Sequence, residues 1–131
     1  MSSELPSDLK YTDDHEWIRV EGKRGVIGIT HIAAERLGEV VAVELPEEGD
    51  ELDKGSVFGS VESHKSVSDL FAPVSGKVVR VNTPLNDSPE AVNDDPYDDG
   101  WMIEIELSDP EELDELLAAD AYREFVDAED A

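Results

Sequence analysis

The chain has no cysteine, which excludes disulfide scaffolds, Cys-containing zinc sites and thiol catalysis. Basic residues are scarce. Ten Lys and Arg stand against 34 Asp and Glu, a net charge of −24, where a small domain usually carries a magnitude of about 2–8. A phosphate backbone needs Lys and Arg to displace its counterions, so nucleic acid is excluded as a partner. Docking on an anionic membrane is excluded on the same ground. No apolar run approaches the roughly 18 residues of a membrane span. The opening MSSELPSDLKYTDD lacks the basic and apolar regions of a signal peptide, and a transit peptide would be Arg-rich and acid-poor. The cytoplasm is the expected location.

What is present argues for a folded β domain. Leu, Ile, Val and Phe make up about a quarter of the 131 residues, above the roughly 20% that marks disorder. Fourteen valines favour strands, and the length fits one domain, 1–131. The acidity is spread over the chain: the last 24 residues carry −9 and the first 107 carry −15. Few lysines on a uniformly acidic surface imply adaptation to high salt, where screening suppresses self-repulsion.

EWIRV (16–20) and VIGI (26–29) read as strands joined by EGKRG, whose glycines suit a hairpin turn. Thr30 reads as the N-cap of a short helix, IAAERL, stopped by Gly38. Valine-rich strands follow: EVVAVEL, SVFGSVES, SVSDLF and KVVRV. Residues 82–100 read as a long loop, and WMIEIEL (101–107) as a strand with Trp101, Ile103 and Ile105 inward. Ser108 with Glu111 forms a capping box. One or two C-terminal helices over about 108–127 then bury Leu113, Leu116, Leu117, Tyr122 and Phe125 beside a core at about 11–107.

GEVVAVELPEEGD and GKVVRVNTPLND share G-x-V-V-x-V and a turn ending in Asp. Two such units cannot each bury a face alone, so they are expected to pack as a pseudo-twofold sandwich. His64–Lys65 lies in the link between them, at a hairpin tip. An exposed lysine there is either a solubilising charge or a target for acylation, which its single flexible amine permits. Schiff-base catalysis would need a desolvated lysine, which a hairpin tip does not provide.

ESHKSVSDL followed by FAPVSGKVVRVN resembles the attachment segment of the glycine cleavage H-protein family. So do YTDDHEWIRVEG, IGITHIAAERLGEVVAVELPEEGD, NDDPYDDGWMIEIEL and DPEELDELLAADAYREF, from about Tyr11 to Phe125. The resemblance implies a mainly β barrel-sandwich hybrid of the lipoyl-domain type, with a short helix in the N-terminal half and C-terminal helices. It implies a lipoyl group on Lys65 and a non-catalytic carrier. That carrier takes the aminomethyl group of glycine from a pyridoxal-phosphate glycine decarboxylase to an aminomethyltransferase, and passes electrons to dihydrolipoamide dehydrogenase. A lipoate-attaching enzyme is a further implied partner. Glu16 and Asp69 match the cleft that shelters the loaded arm, and the carrier is expected to be a monomer. A lipoyl relay to other enzymes, and a purely interacting acidic protein, stand as alternatives.

His31, His64 and Ala42 depart from the commoner family pattern, which has Asp, Val and Phe there. His15, His31 and His64 lack metal-ligand spacing. Asp95, Asp99, Gly100 and Glu106 fall at positions 1, 5, 6 and 12 of a calcium loop, but Tyr97 at position 3 offers no suitable oxygen and Glu106 lies in a strand. No metal is expected.

Overall fold

A computed structural model describes residues 5–130, the side chain of Asp130 excepted. Residues 1–4 and 131 of the expected 1–131 domain lie outside the described residues. The chain runs β1 (Lys10–Tyr11), β2 (Glu16–Glu21), β3 (Arg24–Ile29), α1 (His31–Leu37), β4 (Val40–Glu44), β5 (Glu51–Leu52), β6 (Val57–Ser63), β7 (Val67–Phe71), β8 (Gly76–Val81), α2 (Ala91–Asp94), β9 (Ile103–Leu107) and α3 (Ala119–Asp130). Six strands form one sheet in the order β1-β2-β3-β9-β8-β5, and β4-β6-β7 form a second. The fold is mainly β, as expected. It is a two-sheet sandwich rather than a closed barrel, with a C-terminal helix packed outside. Among the described residues no helix is long and apolar enough to cross a membrane.

Both sheets turn their apolar faces to one core. Ile18, Ile27, Val78, Ile103 and Ile105 come from the larger sheet, and Val40, Val43, Phe58, Val61 and Leu70 from the smaller. Each such side chain, fully buried, contributes about 1.5–3 kcal/mol. The two copies of the G-x-V-V-x-V repeat do not pair with each other. One supplies β4 to the small sheet and the other β8 to the large one. The link after the first copy crosses over, with Gly49 N–H donating to Val78 O and Val78 N–H to Asp50 O, both at 2.8 Å.

A second apolar cluster lies under α3, where Leu9, Tyr11, Trp17, Ile32, Tyr122 and Val126 are buried. Tyr11 and Tyr122 stack with ring centroids 4.9 Å apart, worth about 0.5–1.5 kcal/mol beyond burial. Trp17 lies flat across Gly28. A Cβ there would sit 2.8 Å from the indole, so this strand position requires glycine.

Several local expectations are corrected. Of the two glycines in EGKRG only Gly22 is in the turn, because Gly25 already belongs to β3 and lies under Ile18. Residues 82–100 are not one loop: a 3-10 turn spans Thr83–Asn86 and α2 follows. Asp109, not Ser108, caps the next turn by accepting Glu111 N–H at 3.2 Å. Pro110–Glu115 is 3-10, and Leu116–Leu117 is extended, with Leu117 bridging to Tyr11. Of the five apolar residues expected inside, Tyr122 is fully buried while Leu113, Leu116, Leu117 and Phe125 are half-buried; Val126 is buried as well.

β9 does not alternate cleanly either. Trp101 precedes the strand and is half-buried, with the Arg80 guanidinium 5.0 Å from its ring centroid. Met102 and Glu104 are buried. Glu104 is tolerated because Arg80 and Arg24 reach it at 3.0 and 3.8 Å, and a buried charge without such partners is costly.

Candidate functional site

Lys65 stands at the tip of the β6–β7 hairpin, exposed between exposed His64 and Ser66. Strand pairing ends at Glu62 and Val67. Ser63 closes the tip: its N–H donates to Ser66 O at 2.8 Å, and its hydroxyl accepts from Lys65 N–H at 3.3 Å and Ser66 N–H at 3.2 Å. A serine oxygen thereby takes the donors that the turn leaves unpaired. The Lys65 stem crosses Gly38, where a Cβ would lie 3.2 Å from Lys65 Cε. Gly38 has φ +83 and ψ −161, a region open essentially to glycine alone. It ends α1 as expected and also leaves room for the lysine.

The α1–β4 junction beneath Lys65 is clamped by Asn93. Its Nδ2 donates to Gly38 O at 2.8 Å, and its Oδ1 accepts Val40 N–H at 2.8 Å. The composition of 82–100 signals a loop and hides this role. His64 Nε2 lies 3.7 Å from Glu39 Oε1, both side chains largely in solvent.

A cleft of about 230 Å³ opens beside the hairpin. Its walls are the β1–β2 loop running into β2 (Asp14, His15, Glu16), α1 (Ala33, Arg36, Leu37) and β7 with the hairpin tip before it (Ser66, Ser68, Asp69, Leu70). Glu16 and Asp69, 53 positions apart in sequence, are therefore brought to one cleft that begins next to Lys65. Asp69 is exposed and Glu16 is 1% exposed.

Glu16 is the unusual acid of the site. Its Oε2 accepts Phe71 N–H at 2.8 Å and its Oε1 the Thr12 hydroxyl at 3.4 Å. Burial pushes its carboxyl up to about 8, reinforced by Asp14 and Asp13, while the bonds from Phe71 and Thr12 pull the other way. Desolvation of the anion outweighs two donors. With its value near 8, Glu16 favours the protonated form at neutral pH, unlike an ordinary surface carboxylate. Glu16 also borders a second hollow of about 440 Å³, lined by Tyr11, Lys54, Pro73, Leu116 and Phe125 among others.

His15 and His31 act as hydrogen-bond partners. His15 Nδ1 lies 2.6 Å from Tyr122 Oη and its Nε2 3.1 Å from Glu129. His31 Nδ1 lies 2.7 Å from Tyr97 Oη, which also accepts His31 N–H at 3.1 Å. Burial lowers the His31 pKa, consistent with a neutral ring taking the tyrosine proton. The carboxylates of Asp95, Asp98 and Asp99 gather with oxygens within 4.8 Å of one another, whereas Glu106 is in β9, paired in register with Lys77 and Arg24. Of the residues at calcium-loop positions, Asp95 and Asp99 are therefore neighbours, while Glu106 stands apart in the strand. Sequence reading singled out neither Ser63, Ser66, Ser68 nor Arg36, which small polar or charged residues in an acidic chain give no signal to find.

Comparison with known proteins places this architecture. The family described as glycine cleavage H-protein matches residues 9–129. A glycine cleavage system H protein of Anaeromyxobacter sp. is 56% identical over 127 residues, covering 97% of this chain and 99% of the relative. One from Symbiobacterium thermophilum is 59% identical over 122 residues, 93% of this chain and 95% of the relative. The crystal structure of a glycine cleavage system H protein from Mycobacterium marinum superposes with a TM-score of 0.85 at 40% identity, over 97% of this chain and all of that one. A match of this extent leaves no segment of the sandwich or of α3 unaccounted for, and this chain belongs to the glycine cleavage H-protein family.

Proposed function

We propose that this protein is the lipoyl carrier of the glycine cleavage system, with lipoic acid joined by an amide to Lys65 and no reaction of its own. The observation that carries the reading is the juxtaposition of an exposed, turn-mounted primary amine with a cleft that starts at the next residue and holds Glu16 and Asp69. Both halves suit the group. The lysine is open to an attaching enzyme, and the cleft has apolar walls in Ile29, Leu37, Val61 and Leu70 with acids among them. When attached, the lipoyl group supplies a disulfide that accepts the aminomethyl group of glycine and a dithiol that later returns electrons.

The chain's own residues hold, release and shield. Ser63 fixes the root of the arm, and Gly38 leaves its stem a path along the surface. Asp69 attracts a terminal ammonium, and charge-assisted hydrogen bonds are the strong ones. Glu16 gives up its proton as that cation approaches, because an opposite charge favours the ionised form. Cargo held between these walls is shielded from water.

The partners in this reading are a pyridoxal-phosphate glycine decarboxylase, an aminomethyltransferase, dihydrolipoamide dehydrogenase and a lipoate-attaching enzyme. The setting is cytoplasmic one-carbon metabolism at high salt. The test is reconstitution. With lipoate and an attaching enzyme, intact mass shows one lipoyl group and peptide mapping puts it on Lys65. The lipoylated protein then supports glycine-dependent methylene transfer to tetrahydrofolate. A protein that takes no lipoyl group under conditions that load a known carrier overturns the reading.

A further inference from the structure

One of the ties between the cleft's walls comes from outside it, at a single hydroxyl. Tyr122 of α3 is fully buried and does not line the cleft. Its Oη lies 2.6 Å from His15 Nδ1, in the loop wall, and 2.9 Å from Oγ1 of Thr30, the N-cap of the α1 wall. The third wall, β7, is tied to the first by the bond from Phe71 N–H to Glu16. A single helix residue therefore bridges two of the three walls, and Glu16 links in the third.

His15 shows that this tie has work to do. It has φ +68, a left-handed conformation that favours glycine and persists only where the surroundings over-determine it. The surroundings do so. His15 N–H donates to Thr12 O at 3.2 Å and its carbonyl accepts Thr30 N–H at 3.0 Å. Its Nε2 meets Glu129 and Arg36, each at 3.1 Å. The Phe125 ring centroid lies 5.9 Å from its own. Three of these contacts, Tyr122, Phe125 and Glu129, come from α3. The residue immediately after His15 is Glu16, so the direction of the Glu16 side chain depends on that turn.

We propose that Tyr122 is a positioning residue of the arm cleft, acting through His15 and Thr30, and that docking of α3 is energetically coupled to holding the loaded arm. The inference rests on the carrier reading. Coupling is reciprocal: if a docked α3 strengthens arm binding, a bound arm must strengthen α3 docking by the same factor. Tyr122→Phe removes the hydroxyl while keeping the ring stacked on Tyr11. His15→Asn keeps a residue that tolerates positive φ and removes the ring that meets Tyr122.

The experiment is amide hydrogen exchange across residues 119–129 of the lipoylated protein. It compares the oxidised arm with the arm loaded from glycine by the decarboxylase. Loading is expected to slow α3 exchange by about two- to tenfold, the range one neutral hydrogen bond supplies. Tyr122→Phe and His15→Asn are each expected to abolish that slowing and to speed decay of the loaded form by a similar factor, with Lys65 lipoylated as in the wild type. A merely structural Tyr122 would lower Tm and change exchange equally in both states. Unchanged α3 exchange on loading overturns the inference alone, and it is read on the wild-type protein. A chain that never carries lipoate on Lys65 overturns the carrier reading and this coupling with it.

Discussion

The carboxyl group of Glu16 in β2 accepts the backbone N–H of Phe71 in β7 at 2.8 Å, joining the large sheet to the small one beside the cleft. A side chain that both bridges the sheets and titrates near neutrality links stability, pH and arm holding in one group.

Stability should therefore carry a signature of Glu16. Its ordinary value near 4.5 rises to about 8 on folding, so the folded state binds a proton that the unfolded state has lost. The group's contribution is fully present below about pH 4.5 and is lost as pH climbs through about 8, since stability falls with pH wherever the native state holds more protons. Each tenfold change in proton affinity is worth about 1.4 kcal/mol, making the loss a few kcal/mol at the top of the window. Glu16→Gln keeps an oxygen for Phe71 and cannot ionise. The difference in Tm between Glu16→Gln and wild type should grow in favour of the variant between pH 5 and 9 at fixed salt. A constant difference would show that Glu16 ionises as an ordinary surface acid.

Lys65→Arg keeps the charge and approximate length of the side chain and removes the amine that lipoic acid acylates. Lipoylation and carrier activity should both fall to background, while circular dichroism and Tm stay at wild-type values because the tip is exposed. Intact mass after incubation with the attaching enzyme decides it. A lipoyl group appearing on another lysine would move the site.

Asp69→Asn tests the cleft's standing charge. Hydrogen bonds to charged groups contribute about 1.5–3 kcal/mol, less where water and salt screen them, and Asp69 is exposed. At pH 7 the loaded Asp69→Asn protein should lose its cargo several-fold faster than wild type at equal salt, with lipoylation yield unchanged. The effect of Glu16→Gln on the same decay should grow with pH through 8. Equal decay for Asp69→Asn and wild type would return Asp69 to the general acidic surface.

Salt should set the melting temperature. With −24 on 131 residues, lowering salt lengthens the Debye length from about 3 Å at 1 M to about 30 Å at 0.01 M, exposing the whole molecule to its own repulsion. Tm is expected to rise steeply from 0.01 M towards molar KCl. A flat profile would mean that the acids are already balanced by local pairs such as Arg80 and Arg24 on Glu104.

The sequence by itself determined the strand texture, the cap at Thr30, the stop at Gly38 and the exposed Lys65, because each rests on contacts within a few residues. Thr30 accepts Ala33 N–H three residues on, and Ser63 orders Lys65 from two residues away. Local chemistry of that kind survives being read one window at a time. The resemblance of its motifs to the family extended the reading to Glu16 and Asp69 as a candidate pair.

Tertiary structure decided the rest. Nothing near Glu16 in sequence shows that its carboxyl is buried against Phe71 and held near pH 8, because desolvation is set by the whole packed molecule. Nothing in SDPEEL distinguishes Asp109 from Ser108 as the cap until the backbone bends. The wall-to-wall tie at Tyr122 spans 107 positions to His15 and 92 to Thr30. The 3.6-residue period of the C-terminal segment marks Tyr122 as apolar and inward, but its hydroxyl's partners exist only once α3 lies across the mouth of the β1–β2 loop. A side chain's environment is a property of the closed core, and that is where chain order stops carrying the information.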